Sequence, residues 1–171
     1  AQSGGMVALA TPMDVQLAEL NRKLGTTLVA YGGVAARRAV ASKQLAAEAA
    51  PASVAADRLF FNMKAGVAVQ GEGELLDTLN NGKLKLADVK KDQLPADWQK
   101  LSEAELKAAV GEKQKERAEL QAQIAKLGQQ REEYLAQERK RLAASSKADS
   151  FDATVAQILR AQAAKKGIGY E

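Results

Sequence analysis

The sequence contains no cysteine and no histidine. Disulfides, thiolate nucleophiles, imidazole bases and the usual zinc ligand sets are therefore excluded together. Aromatic residues make up only 4 % of the chain, and proline occurs 3 times in 171 residues, so large core anchors and helix breakers are both scarce. Much of the 46 % hydrophobic content is alanine, which points to a thin core of Leu, Val and Ala. No apolar run reaches the roughly 18 residues that a membrane-spanning helix needs. The opening Ala1-Gln2-Ser3-Gly4-Gly5 has neither the basic start nor the apolar stretch of a signal peptide, and the lack of an initiator Met is expected of a processed or excised chain. Charge of one sign is lacking too. The net charge of +4 is spread along the chain, which favours solubility and at most a loose attraction to acidic surfaces.

What is present is one long helical stretch, Ser102 to Ala144. It has no proline and is built from Ala, Leu, Glu, Gln, Lys and Arg, the strongest helix formers. Ser102 followed by Glu105 has the spacing of a capping box. At the α-helical rise the run would be roughly 64 Å long, against about 40 Å for the diameter of a compact globule of this chain length. It must project, bend, or carry other segments along its length. Its heptad positions are Leu106, Val110, Lys113, Arg117, Leu120, Ile124, Leu127, Arg131, Tyr134, Glu138 and Arg141, of which five are charged. A self-sufficient two-stranded coiled coil is apolar at nearly all such positions. The pattern predicts instead an interrupted stripe that docks on other helices near the middle and both ends, with Gly111 and Gly128 as places to bend. Acids and bases nearly balance from Glu103 to Arg141, a solvated, charge-laced face rather than the one-signed clustering of a nucleic-acid surface.

Upstream, Met6 to Leu9 reads as a short buried strand. Thr11-Pro12-Met13-Asp14 starts a helix whose apolar face is Met13, Leu17, Leu20 and Leu24, ended by Gly25. Thr26 to Tyr31 is β-branched and apolar, and reads as a second strand closed by Gly32-Gly33. Val34 to Lys64 is an alanine-rich helix split or kinked at Pro51, with Leu59, Phe60, Phe61 and Met63 as its apolar cluster. Glu74 to Asn80 forms a short helix stopped at Asn81-Gly82. Lys83 to Leu86 alternates like a short strand, and Trp98 anchors the start of the long helix. Ala143 to Asp149 reads as a turn into a last helix ending at Gly167. Its stripe of Phe151, Val155, Ile158 and Leu159 folds back antiparallel, placing Phe151 near Leu142 and Ile158 and Leu159 near Leu135 and Tyr134.

Sites of chemistry are sparse. Gly71-Glu72-Gly73 is a lone GxG without the rest of a dinucleotide fingerprint. Asp88, Asp92 and Asp97 lack calcium-loop spacing and read as solvated acids. Without histidine no Ser-His pair exists, leaving only a Ser-Lys arrangement. No residue is singled out as catalytic, cofactor-binding or metal-binding, and no cofactor is expected.

Ser3-Gly4-Gly5 before a short strand, then Asp14 to Leu24 (DVQLAELNRKL) and Thr27 to Gly32 (TLVAYG), resembles the end of bacterial von Willebrand factor A (VWA) domain proteins. Leu75-Leu76-Asp77, Leu94-Pro95, Leu101-Ser102-Glu103, the charged helix and Gln162 to Gly167 are similar to the helical region that follows such domains. The resemblance covers nearly the whole chain. A VWA domain binds a divalent metal through a D-x-S-x-S motif, which is found nowhere here, so no metal ligand carries over. The resemblance implies a piece downstream of the metal site, and an exported, periplasmic setting.

The expected fold is mainly α: a long-helix, antiparallel helical assembly with a short N-terminal β-α-β element. Residues 1–33 would form that element, 34–101 the alanine-rich helices and connector, and 102–171 the long helix with its antiparallel partner. The expected role is a non-enzymatic interaction or scaffold module whose partner is a protein or an upstream VWA domain. Leu120, Ile124, Leu127, Tyr134, Phe151, Ile158 and Leu159 carry the packing or interaction. The alternatives are an autonomous coiled-coil oligomer and, more weakly, a basic binder of nucleic acid or membrane surfaces.

Overall fold

The computed structural model describes residues 9–148. Among them six α-helices follow in order: α1 Asp14–Gly25, α2 Val34–Glu48, α3 Ala52–Lys64, α4 Leu75–Asn80, α5 Ala96–Gln99 and α6 Glu103–Ala148. Single 3-10 turns occupy Leu86–Asp88 and Lys91–Gln93. The fold is mainly helical. Two units gather by their contacts, one reaching Arg131 and one starting at Glu132.

Local chemistry places most of these elements. Thr11 and Asp14 form half of a capping box: the Asp14 carboxylate accepts from the Thr11 backbone N–H at 2.8 Å and from its hydroxyl at 2.7 Å. Pro51 lies immediately before α3, because its ring and missing N–H are harmless there and harmful inside a helix. Glu74 stands at the N-cap of α4, where its side chain accepts from the Asp77 N–H at 2.6 Å. Ser102 and Glu105 complete the expected box at the start of α6. The Ser102 N–H donates to the Glu105 carboxylate at 2.8 Å, and the Glu105 N–H donates back to the Ser102 hydroxyl at 3.3 Å.

The unit that ends at Arg131 holds two apolar cores, and α6 contributes to both. Leu106 and Val110 join Val29, Leu75, Leu76 and Leu94, with Trp98 and Leu101 packed alongside. One stretch further along α6, Leu120 and Ile124 join Leu17, Leu20 and Leu24 of α1, Ala56 and Leu59 of α3, and Ala68. Each fully buried leucine contributes roughly 1.5–3 kcal/mol, and there are few larger side chains to help. Of the three longer helices that precede α6, α2 is the least committed, with Val40 its only buried residue.

Several expectations need correction. No strand forms among the described residues, so the β-α-β element is not shown, and most of its first strand lies outside the described residues. Thr26 and Thr27 instead finish α1, their N–H groups donating to the carbonyls of Lys23 and Leu24. Only Ala30 pairs, in one antiparallel bridge with Glu74. β-branching favours extended backbone, but a ladder needs a partner strand, and the chain beside it turns into α4. Lys83 to Leu86 likewise forms a turn and the start of a 3-10 segment. Its alternation is real, with Leu84 and Leu86 half-buried and the lysines exposed, but it records one-sided burial without a ladder. The turn expected from Ala143 is helical up to Ala148, since Ala, Ser and Lys offer no break. The antiparallel last helix and the positions of Phe151, Ile158 and Leu159 lie outside the described residues.

Candidate functional site

The heptad seam of α6 is where the described residues meet, and its charged positions are the informative ones. Arg117 lies between the two cores with 2 % of its surface exposed, and every guanidinium N–H is used. Nη2 donates to Glu74 Oε1 at 2.9 Å and to the Thr27 carbonyl at 2.9 Å. Nη1 donates to Glu74 Oε2 at 3.0 Å and to Asp77 Oδ1 at 2.9 Å. Nε donates to the Thr27 hydroxyl at 3.0 Å, and that hydroxyl in turn donates to the Leu24 carbonyl at 2.7 Å.

The acids are equally occupied. Glu74 Oε1 also accepts from the Val29 N–H at 2.8 Å, while Asp77 Oδ2 accepts from the Ala68 N–H at 2.8 Å. Two carboxylates face one guanidinium, so the cluster carries an excess of negative charge. Burial and the neighbouring Glu74 carboxylate push the Asp77 carboxyl up from its ordinary value, against the pull of Arg117 and the backbone N–H groups.

About four turns further along α6, Arg131 is buried as well, with 5 % of its surface exposed. Its Nε donates to Asp14 Oδ1 at 2.8 Å, and its Nη2 reaches Asp57 at 2.8 Å. Asp57 sits at the rim with 55 % of its side chain exposed. The guanidinium carbon lies 5.7 Å from the centre of the Phe60 ring, a cation–π distance. Burial alone would raise the Asp14 carboxyl, but the bonds from Arg131 and Thr11 outweigh it and hold Asp14 below the ordinary range. Arg131 is pushed down by burial and raised overall by its bonds to Asp14 and Asp57. Beside this pair Gly128 lets α3 come close: a Cβ there would lie 2.5 Å from the Phe60 ring.

Among the residues expected to carry packing or interaction, Leu120 and Ile124 are buried in the α1–α3 core and Leu127 is packed against it. Tyr134 is half-buried in the unit that starts at Glu132. Arg117, Arg131, Glu74, Asp77 and Asp14 were not singled out by the sequence. A partial signal was there: arginine occupies three of the five charged seam positions, Arg117, Arg131 and the exposed Arg141, and arginine is the residue suited to buried, forked ion pairs.

The remaining sites read from the sequence are structural or exposed. Gly71 and Gly73 adopt positive φ angles of 93° and 99°, and a Cβ on Gly73 would lie 3.0 Å from the Ala36 carbonyl oxygen. The pair of glycines serves a tight turn against α2. Asp88, Asp92 and Asp97 are exposed. Among the described residues no three acids gather where they could hold a metal ion, and no helix is long and apolar enough to cross a membrane. No protein family, no curated protein and no solved structure matches this chain.

Proposed function

We propose that this chain is a non-enzymatic interaction or scaffold module that presents one long helix in a fixed register. The observation that carries this reading is the pairing of both buried seam arginines with acids from other elements: Arg117 with Glu74 and Asp77, and Arg131 with Asp14 and Asp57. A slip of α6 by one residue would strand a buried charge, at a cost of about 3–5 kcal/mol. A helix held in this way serves to position what binds it. The buried acids are all engaged in bonds within the fold, which favours architecture over proton transfer.

Within the same proposal, the chain is the helical C-terminal region of a VWA-like bacterial protein, exported to the periplasm, and its partner is a protein or that VWA domain. The extended stretch around Ala30, directly after α1, is the segment this reading assigns to the domain's last sheet element. Self-association through the heptad seam is the alternative. Between Leu106 and Arg131 it is disfavoured, because the same chain already covers those positions. The test is calorimetric titration of this chain with the protein segment encoded immediately upstream of Ala1. The expected result is a D-x-S-x-S motif in that segment and a micromolar or tighter complex. A segment lacking the motif removes the VWA assignment, and one that has it but does not bind removes the scaffold role.

A further inference from the structure

Helix α3 carries apolar side chains on its outward face as well as its inward one. Its buried residues are Ala55, Ala56, Leu59 and Asn62. On the opposite side Phe61 is 64 % exposed and Val54 is 41 % exposed. These two lie seven residues apart, two turns along one face. Phe61 is the one aromatic ring among the large apolar side chains that the described residues leave exposed, and aromatic residues dominate the centres of protein interfaces. Two exposed charges flank the ring, Asp57 four residues before it and Lys64 three residues after it. Arg131 takes Oδ1 of Asp57, whose side chain stays 55 % exposed. Lys64 enters no ion pair among the described residues.

We propose that this face of α3 joins two copies of the chain, α3 packing antiparallel on α3 about a two-fold axis beside Phe61. The charges choose both the occupant and its direction. Asp57 and Lys64 are seven residues apart and so share one flank of the helix. Antiparallel two-fold pairing turns that same flank of each helix towards the other. Asp57 then meets the partner's Lys64, Lys64 meets the partner's Asp57, and the two phenylalanine rings pack between them. Parallel pairing would set like charges side by side at equal height, acid against acid and lysine against lysine. On the other flank the exposed Arg58 lies over the partner's Ala65, which is small enough to leave it room. The surface belongs to α3 and not to the α6 seam, and the inference does not depend on any segment upstream of Ala1. One helix face buries less than the roughly 1,200–2,000 Å² of a stable interface. The dimer is therefore weak, with a dissociation constant of roughly 0.1–1 mM.

The test is sedimentation equilibrium of the full chain from about 10 µM to about 2 mM. The expected result is a reversible monomer–dimer equilibrium that weakens as salt is added, since the ion pairs are exposed. Phe61→Ser should weaken the dimer at least about tenfold. Lys64→Glu, which sets an acid against the partner's Asp57, should do the same, and so should Asp57→Lys. An equimolar mixture of the Lys64→Glu and Asp57→Lys chains should dimerise as the wild type does, because every acid then faces a lysine. Asp57 also holds Arg131, so circular dichroism checks the fold of that variant, and Phe61→Ser and Lys64→Glu serve alone if it fails to fold. A chain that stays monomeric throughout, or a dimer unchanged by Phe61→Ser or by Lys64→Glu, overturns the proposal. So does a mixture of two folded variants that fails to dimerise. A dimer dissociated by Leu45→Ser in place of Phe61→Ser would put the contact on α2 and overturn it as well.

Discussion

Arg117 and Glu74 meet through two parallel hydrogen bonds, 2.9 Å from Nη2 to Oε1 and 3.0 Å from Nη1 to Oε2, with 2 % and 1 % of their side chains exposed. The planar guanidinium matches the planar carboxylate edge to edge, which an ammonium cannot do. Glu74 also caps α4 and receives the Val29 N–H. One contact therefore joins the long helix, the extended segment after α1 and the start of α4.

Removing the cation should strand two buried carboxylates. Arg117→Met is expected to lower unfolding stability by about 3–5 kcal/mol, read from the urea midpoint at constant slope. Lys113→Met, also on the seam but part-exposed and paired only with Glu116, should change stability by less than about 1 kcal/mol. Equal effects from the two substitutions would show that the buried cluster is not what holds α6.

The pH dependence has two parts of opposite sign. Asp14 is held below the ordinary aspartate value of 3.8. Its stabilising contribution is therefore present above that value and lost as the pH falls through the lower folded value. Asp77 is pushed above 3.8, so its contribution is full below that value and lost as the pH rises through the higher folded value. The stability gap between wild type and Asp14→Asn should close on acidification. The gap to Asp77→Asn should instead narrow as the pH rises from 3.8 through the folded value. Unfolding free energies from about pH 2 to about pH 7 check both directions.

Two glycines in one helix should respond differently to alanine. Nothing lies within 4 Å of a Cβ built on Gly111, so Gly111→Ala should stabilise the chain by up to about 1 kcal/mol through helix propensity. At Gly128 the new methyl would meet the Phe60 ring at 2.5 Å, displacing the ring that lies under Arg131. Gly128→Ala should yield no gain, and thermal unfolding of the pair measures the difference.

The isolated chain should not form a stable parallel dimer through the seam that its own helices cover. Leu120→Lys places a charge where 8 % of the leucine is exposed, and it should unfold the α1–α3 core. Sedimentation at micromolar concentration, with circular dichroism on the variant, separates the outcomes. A tight dimer that this substitution dissociates into folded monomers would contradict the fold described here.

Ser102 holds Glu105 below the ordinary carboxylate range through bonds from its hydroxyl and its N–H. Ser102→Ala should move the Glu105 titration back up and quicken amide exchange in the first turn of α6 only. Side-chain NMR titration and hydrogen exchange read the two effects separately.

Much of the helical layout is legible from neighbours in sequence. The break at Pro51, the cap at Ser102 and the short helix after Glu74 all depend on groups within four residues of one another, as capping and helix bonds do. The heptad positions from Leu106 to Arg131 were legible too, because a 3.5-residue spacing is a property of one helix. Two of the three expected strands were misleading. Thr26 to Tyr31 and Lys83 to Leu86 have β-like patterns, but a strand is completed by a partner that no local pattern supplies.

The sequence by itself thus determined the long helix, its capped start, its seam and the scarcity of chemically reactive residues, since composition and i-to-i+4 contacts decide those. Only the tertiary structure decided that Arg117 and Arg131 turn inward. On paper a charge on a helix seam looks the same whether it meets water or a buried acid. The acids in question, Glu74 and Asp14, lie 43 and 117 residues away in sequence. What settles the matter is desolvation: once the leucines on either side of Arg117 are buried, its charge leaves water with them and persists only where carboxylates are already waiting.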